Sequence, residues 1–207
     1  MKKLLPALCL TAIVLLSGCL SAFNPLFTEK DIVYDARLLG SWKKGADGPV
    51  YSFEQGNAQS FAELPTGIRD LASRGYLLTI KEGADDYPSR FFVFMSRIGK
   101  HLYLDYFPSE AQHGKSYAAF YTRNYIPLHS FFRVQLANNG ESMTIMRLKE
   151  SFLEDLVRNK QIRIRRETRM DGTTVITAPT EDLRQYVRKY GELDAAYDDR
   201  ETYTSIK

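Results

Sequence analysis

The sequence predicts a mostly β domain in which an antiparallel meander curls round and closes on itself. Three observations carry that prediction. Short runs of strand-forming residues recur from residue 37 onward. Hairpin signals separate the later ones in succession, at Gly99-Lys100, Asn138-Asn139-Gly140 and Asp171-Gly172. Two segments, near Ser151 and near Thr180, break this pattern and read as uninterrupted helices. An open sheet of this kind leaves unpaired edges, and closure into a barrel removes them.

Taken in order, 41–44 follows Gly40 and 50–53 follows Gly48-Pro49. In 76–81, Tyr76, Leu78 and Ile80 alternate with Leu77, Thr79 and Lys81, the period of a strand. The runs 90–98 and 101–107 flank Gly99-Lys100, which fits a type II′ turn. The runs 130–136 and 142–148 flank the Asn-Asn-Gly turn, and 162–169 and 173–177 flank Asp171-Gly172, a type I′ signal. Ser151 and Glu154 form a capping box, which predicts a short helix to about Asn159 between late strands. Leu183, Tyr186, Val187 and Tyr190 make one apolar stripe at i, i+3, i+4, i+7, predicting an amphipathic helix laid on the barrel wall and stopped by Gly191. In 57–74, Phe61, Leu64, Ile68 and Leu71 have helical spacing broken by Pro65 and Gly67. That segment reads first as a connection packed on the side, and second as a lid over a barrel mouth. The tail 192–207 is polar and reads as loosely held.

The N-terminus carries a different message. Lys2-Lys3, an apolar stretch at 4–16 and small residues at 17–18 form a secretory signal. The stretch falls short of the about 20 residues a membrane-spanning helix needs. Leu16-Ser17-Gly18-Cys19 resembles the lipobox of bacterial lipoproteins. That resemblance implies cleavage between Gly18 and Cys19 and a lipid anchor on Cys19. Leu20, in place of an Asp retention signal, implies the outer membrane. The expected organisation is a cleaved signal at 1–18, a lipidated tether at 19–36 that ends by docking, a barrel domain at 37–191 and the tail. Loss of Lys2 and Lys3 lowers the formal charge of +3, so no nucleic-acid footprint remains. Cys9 leaves with the signal and Cys19 carries lipid, so no disulfide is expected and the core must hold the fold.

The run 35–42, ending Leu39-Gly40-Ser41-Trp42, resembles the opening of lipocalins. In that family a short helical turn leads into Gly-x-Trp on the first barrel strand, and a late basic side chain lies over the Trp at the closed end. The resemblance implies Gly40 and Trp42 as the barrel-closing motif, with Arg163 or Arg165 (or Arg166) over the indole as a cation–π partner. A second lipocalin signature is missing; Leu104-Asp105-Tyr106 is a poor substitute. More broadly, the chain resembles a set of lipocalin-like envelope lipoproteins. They share the patterns found here at 24–31 (Asn-Pro-Leu-Phe-Thr-Glu-Lys-Asp), 39–42 and 176–183 (Ile-Thr-Ala-Pro-Thr-Glu-Asp-Leu). That likeness spans most of the mature chain and implies no activity.

Chemistry-bearing motifs are sparse. His101, His113 and His129 are scattered, with no partner at metal-ligand spacing, and no cofactor is expected. Gly114-Lys115-Ser116 lacks the earlier Gly of a phosphate loop, since Ser109 stands there. No Gly-x-Ser-x-Gly elbow exists, and no catalytic residue is assigned. Asp85-Asp86 and Asp198-Asp199 read as solvated turn acids. Arg158, Lys160, Arg163, Arg165, Arg166 and Arg169 form a basic cluster, read as a solvent face or as a stripe for anionic headgroups. Aromatics crowd the 90–107 hairpin. Phe92, Phe94, Tyr103 and Tyr106 are candidate ligand-lining residues, with the inward set undecided. The expected function is a non-enzymatic carrier of a small apolar or amphipathic ligand; the alternative is an interaction lipoprotein with a filled core.

Overall fold

The computed structural model describes residues 20–83, 88–109, 126–198 and 200–206. The segment expected to be a signal, with Gly18, Cys19, His113, the Gly-Lys-Ser run, Asp85-Asp86 and Asp199, lies outside them. Among the described residues, eleven strands form one sheet. They are β1 (Ser21–Ala22), β2 (Gly40–Lys43), β3 (Val50–Gln55), β4 (Gly75–Lys81), β5 (Ser89–Ile98), β6 (His101–Pro108), β7 (His129–Leu136), β8 (Ser142–Arg147), β9 (Arg166–Thr168), β10 (Thr174–Ile176) and β11 (Glu201–Ile206). Among the described residues three α-helices accompany them: α1 (Thr66–Arg69), α2 (Glu150–Arg158) and α3 (Thr180–Tyr190).

Eight strands in the order β6-β5-β4-β3-β2-β11-β8-β7 form an antiparallel ring, and pairing of β6 with β7 closes it. This is the predicted lipocalin-like barrel. A 3-10 turn at Ala36–Leu38 leads into β2, and Gly40 follows with φ +108°. A side chain there would be strained, so glycine permits the sharp entry into the barrel.

Alternation sorts the side chains into an inner and an outer set. Trp42, Phe53, Tyr76, Leu78, Val93, Met95, Leu104, Val134 and Met143 pack inside. Outside, α3 lays Leu183, Tyr186 and Val187 against Tyr103, Phe131 and Met146, together with Leu153 and Leu156 of α2. A second outer cluster joins Phe61 and Leu64 of the 57–74 segment to Phe92, Phe94 and Phe27. The broken helix thus packs on the side of the barrel, with α1 a single turn.

Several expectations are corrected. The tail is not loose: β11 pairs with β2 on one side and β8 on the other, so the barrel domain extends beyond 191. The third hairpin, conversely, stands outside the ring. β9 pairs with β10, β10 runs parallel to β1, and β1 joins β7, forming an arm. Asp171 keeps a negative φ while Gly172 has φ +84°, so the turn is not type I′, which needs positive φ at both positions. The Asp171 carboxylate instead accepts from the Thr173 N–H at 3.0 Å. Ser151 does not cap α2, which starts at Glu150 after Lys149. Glu150 accepts from the Thr174 N–H at 2.6 Å and Glu154 from the Thr174 hydroxyl, so tertiary partners outcompete the local box. The tether is docked from its first described residue: Leu20 is 1% exposed, and Leu26 is fully buried.

Candidate functional site

The two ends of the barrel differ. At one end the segment before β2 plugs the interior. The Trp42 indole N–H donates to the Leu38 carbonyl at 2.9 Å, and the Tyr76 hydroxyl bonds both the N–H and the carbonyl of Asp35. Tyr34 stacks on Tyr76 with ring centres 5.3 Å apart. Gly40 and Trp42 therefore stand where the closing motif was expected. Arg163 and Arg165 do not join them. They line a recess with Val157, Lys160, Ile162, Ile164, Arg166 and Asp182, beside α2 and α3. The reason is topological: the strand they were assigned to belongs to the arm, and β11 takes its place next to β2.

At the other end the barrel is open. A cavity of about 370 Å³ lies between Tyr51, Ile80, Phe91, Tyr106, Phe132, Ile145 and Tyr203, with Lys44, Pro49, Ser130, Arg147 and Glu201 completing it. These residues sit where β3, β5, β7 and β11 begin and where β2, β4, β6 and β8 end, which defines a single mouth. Its walls are apolar and aromatic. Tyr51 meets Tyr203 edge to face at 4.9 Å, and Tyr106 meets Phe132 at 4.5 Å.

The polar groups of the mouth are few and particular. Glu201 sits 3.0 Å from the Lys44 ammonium and 3.9 Å from the Arg147 guanidinium. It also accepts from the Tyr203 hydroxyl at 2.8 Å. Partial burial disfavours its charge, but the Tyr203 hydroxyl and Lys44 outweigh that and hold the carboxyl below its ordinary range. Burial, with Tyr51 and Glu201 adding to it, pushes the Tyr203 hydroxyl far above the usual phenol value. Tyr106 is 5% exposed, and its hydroxyl has no hydrogen-bond partner among the described residues. Burial and nearby Tyr51 raise it well above the usual value, so it remains a neutral donor.

The four proposed lining residues are divided by the pleat. Tyr106 lines the mouth. Tyr103 points the other way, its hydroxyl 2.9 Å from that of Tyr197 in the outer core. Phe92 and Phe94 also face outward, into a groove of about 390 Å³ with Phe23, Phe27, Leu64, Ile68, Phe107 and Ile126. Asp105 and His129 form a 2.7 Å pair beside it, and Asp105 also accepts from the Leu26 N–H at 2.7 Å. The lining residues that sequence reasoning missed are Tyr51, Ile80, Phe91, Phe132, Ile145 and Tyr203. Their signal was the strand alternation itself, once an inward anchor such as Trp42 is known.

No protein-family model matches the chain, nor does any curated protein or solved structure. The site must therefore be read from its own residues. Among the described residues, no group of three or more His, Cys, Asp and Glu is placed to hold a metal ion, and no helix is long and apolar enough to cross a membrane. His101 lies beside Glu192, on a different pair from His129 and Asp105.

Proposed function

We propose that the protein is an envelope lipoprotein, anchored through Cys19 at the outer membrane, whose barrel mouth binds a small amphipathic ligand without enzyme chemistry. The observation that carries this reading is the half-filled barrel, solid around Trp42 and hollow around Tyr106. Ligand pockets typically measure about 300–1,000 Å³, with apolar walls and a few convergent polar groups. This cavity is at the small end of that range, which suits a short tail. Lys44 and Arg147 at the rim suit an anionic head. An unsatisfied buried hydroxyl costs about 1–3 kcal/mol. Opening of the aromatic mouth would let a ligand oxygen reach the buried Tyr106 hydroxyl and recover that cost. The anchor itself rests on Leu16-Ser17-Gly18-Cys19 and the signal before it.

A second reading, an interaction lipoprotein, is favoured by the outer groove. Phe23 and Ile126 beside it are 44% and 63% exposed, an apolar surface of the kind that attracts partners.

Native mass spectrometry of the detergent-extracted protein tests the carrier reading. Added medium-chain fatty acids should give a one-to-one adduct. Ile145→Trp, which fills the mouth, should abolish it, and Tyr106→Phe should weaken it. If wild-type protein carries no co-purified molecule and takes up none, the carrier reading fails and the groove becomes the leading site.

A further inference from the structure

The arm outside the barrel brings together two features that are far apart in sequence. Ala22 of β1 pairs with Ile176 of β10, and Ile176 pairs with Arg166 of β9. Neighbouring strands lie about 4.8 Å apart, so the Arg166 backbone is about 10 Å from that of Ala22. The described chain begins at Leu20, which is 1% exposed and packed in the outer core. Cys19 is its immediate neighbour in the chain. A lipid on Cys19 therefore has no free spacer behind it, and the arm is held against whatever surface the lipid enters.

The basic cluster sits at the base of this arm: Lys160, Arg163 and Arg165 lie on the segment between α2 and β9, and Arg166 opens β9. A recess of about 520 Å³ is lined by Lys160, Arg163, Arg165 and Arg166, with Asp182 the one acid among its described lining residues and Val157, Ile162 and Ile164 as its apolar floor. Lys160, Arg163 and Arg165 are exposed. Among the described residues, none of the four cations has an ion-pair partner, whereas the flanking Arg158 and Arg169 pair with Asp155 and Asp171. The recess therefore gathers four cations against one acid among its described lining residues. At the turn between β9 and β10, Met170 is fully exposed. An exposed apolar tip on the hairpin that Arg166 opens suits a lipid interface better than a soluble anion.

We propose that the β1–β10–β9 arm and its base form a membrane-docking surface, with Lys160, Arg163, Arg165 and Arg166 meeting the phosphates of anionic phospholipid headgroups. The orientation rests on the reading of Cys19 as the anchor. The charge recognition does not, because it belongs to the folded arm and its base. Two signals on one face, acyl chains and a basic patch, give firm binding where one alone is marginal. The electrostatic part acts within a Debye length, about 8 Å at physiological ionic strength, which a tight anchor ensures.

The test uses the chain from residue 20 onward, which holds every described element and lacks the anchor. Vesicles of phosphatidylcholine alone are compared with vesicles containing about a third phosphatidylglycerol, by co-sedimentation at low and high salt. Binding at low salt should be at least about tenfold greater to the anionic vesicles and should fall with salt. Arg163→Gln with Arg165→Gln should remove that preference while leaving the circular dichroism and melting temperature unchanged. Equal binding to both vesicles, or a preference that survives the double substitution, overturns the proposal. Loss of binding to inorganic phosphate at constant ionic strength also overturns it, in favour of a soluble-anion site. Mass spectrometry of the membrane-extracted full chain reports separately on the lipid at Cys19, so failure of the anchor reading and failure of the arm are distinguishable.

Discussion

Ser205 of β11 lies opposite Trp42 of β2, and two residues earlier Tyr203 lies opposite Met143 of β8. The last strand is therefore the seam of the barrel, and Tyr203 fills the interior on its account. A chain ending at residue 200 leaves β2 and β8 as open edges. It should lose its cooperative unfolding transition, and the fluorescence of Trp42, the single Trp of the sequence, should shift to the red. In the full chain Tyr203→Ala should cost about 3–5 kcal/mol in urea unfolding, the usual range for a buried aromatic. A truncated chain with the full chain's midpoint would mean that β11 is not needed for closure.

Arg184 is the least expected member of the outer core. It sits on α3 beside the apolar stripe, yet it is only 4% exposed. Its guanidinium donates to the Leu26 carbonyl at 2.9 Å and pairs with Asp31 at 3.0 Å. Helix and N-terminal segment are thus tied by one buried cation. Removing a partner from such a pair leaves buried groups unsatisfied and typically costs about 3–5 kcal/mol; the partial exposure of Asp31 argues for the lower end. Arg184→Met should melt earlier, and limited proteolysis should then cut within 20–31 first. Protection of that segment in the variant would show that β1 and the outer core hold it unaided.

The rim carboxylate gives the barrel a pH dependence of known sign. Glu201 has its pKa lowered in the folded state from an ordinary value of 4.5. A group of this kind contributes stability that is full above the unfolded value and is lost as pH falls through the folded one. Asp35, held down by Arg37, and Glu192, held down by Lys100, add the same sign. Denaturation should therefore become easier as pH drops below about 4.5. Glu201→Gln should flatten part of that decline and leave the rest. Identical pH profiles for variant and wild type would remove Glu201 from the account.

The ring was legible from the sequence where alternation and turns agreed, as in β4 to β8. Gly99-Lys100 joins Ile98 to His101, and the α3 stripe buries the four residues its spacing selects. The seam was hidden because 201–206 offers only Tyr203 as a large inward side chain, while its outer side mixes Thr202 and Thr204 with an exposed Ile206. Its strand-forming Thr202, Tyr203, Thr204 and Ile206 were nevertheless there to be read. The lining of the mouth was half legible. A hairpin with aromatics on both faces fixes the two sets but not which is inside. That choice is made by long-range closure, which turns Tyr106 inward and sends Phe92, Phe94 and Tyr103 to the outer wall.

The start of α2 offers a direct contest between local and tertiary signals. If Ser151 capped the helix, Ser151→Ala would cost about 1 kcal/mol. Ser151 is instead exposed inside the first turn and makes no cap, so the substitution should change stability by less than about 0.5 kcal/mol. Glu154 should behave differently. Its carboxylate accepts from the Thr174 hydroxyl, and Thr174 is 2% exposed. Glu154→Ala leaves that hydroxyl without its partner and should cost about 1–3 kcal/mol. A double-mutant cycle of Glu154→Ala with Thr174→Val should recover part of the loss, because replacing both partners by apolar groups is nearly neutral. Urea unfolding of the four variants, Ser151→Ala, the two singles and the double, reads the result. A costly Ser151→Ala beside a harmless Glu154→Ala would reverse the order and restore the capping box.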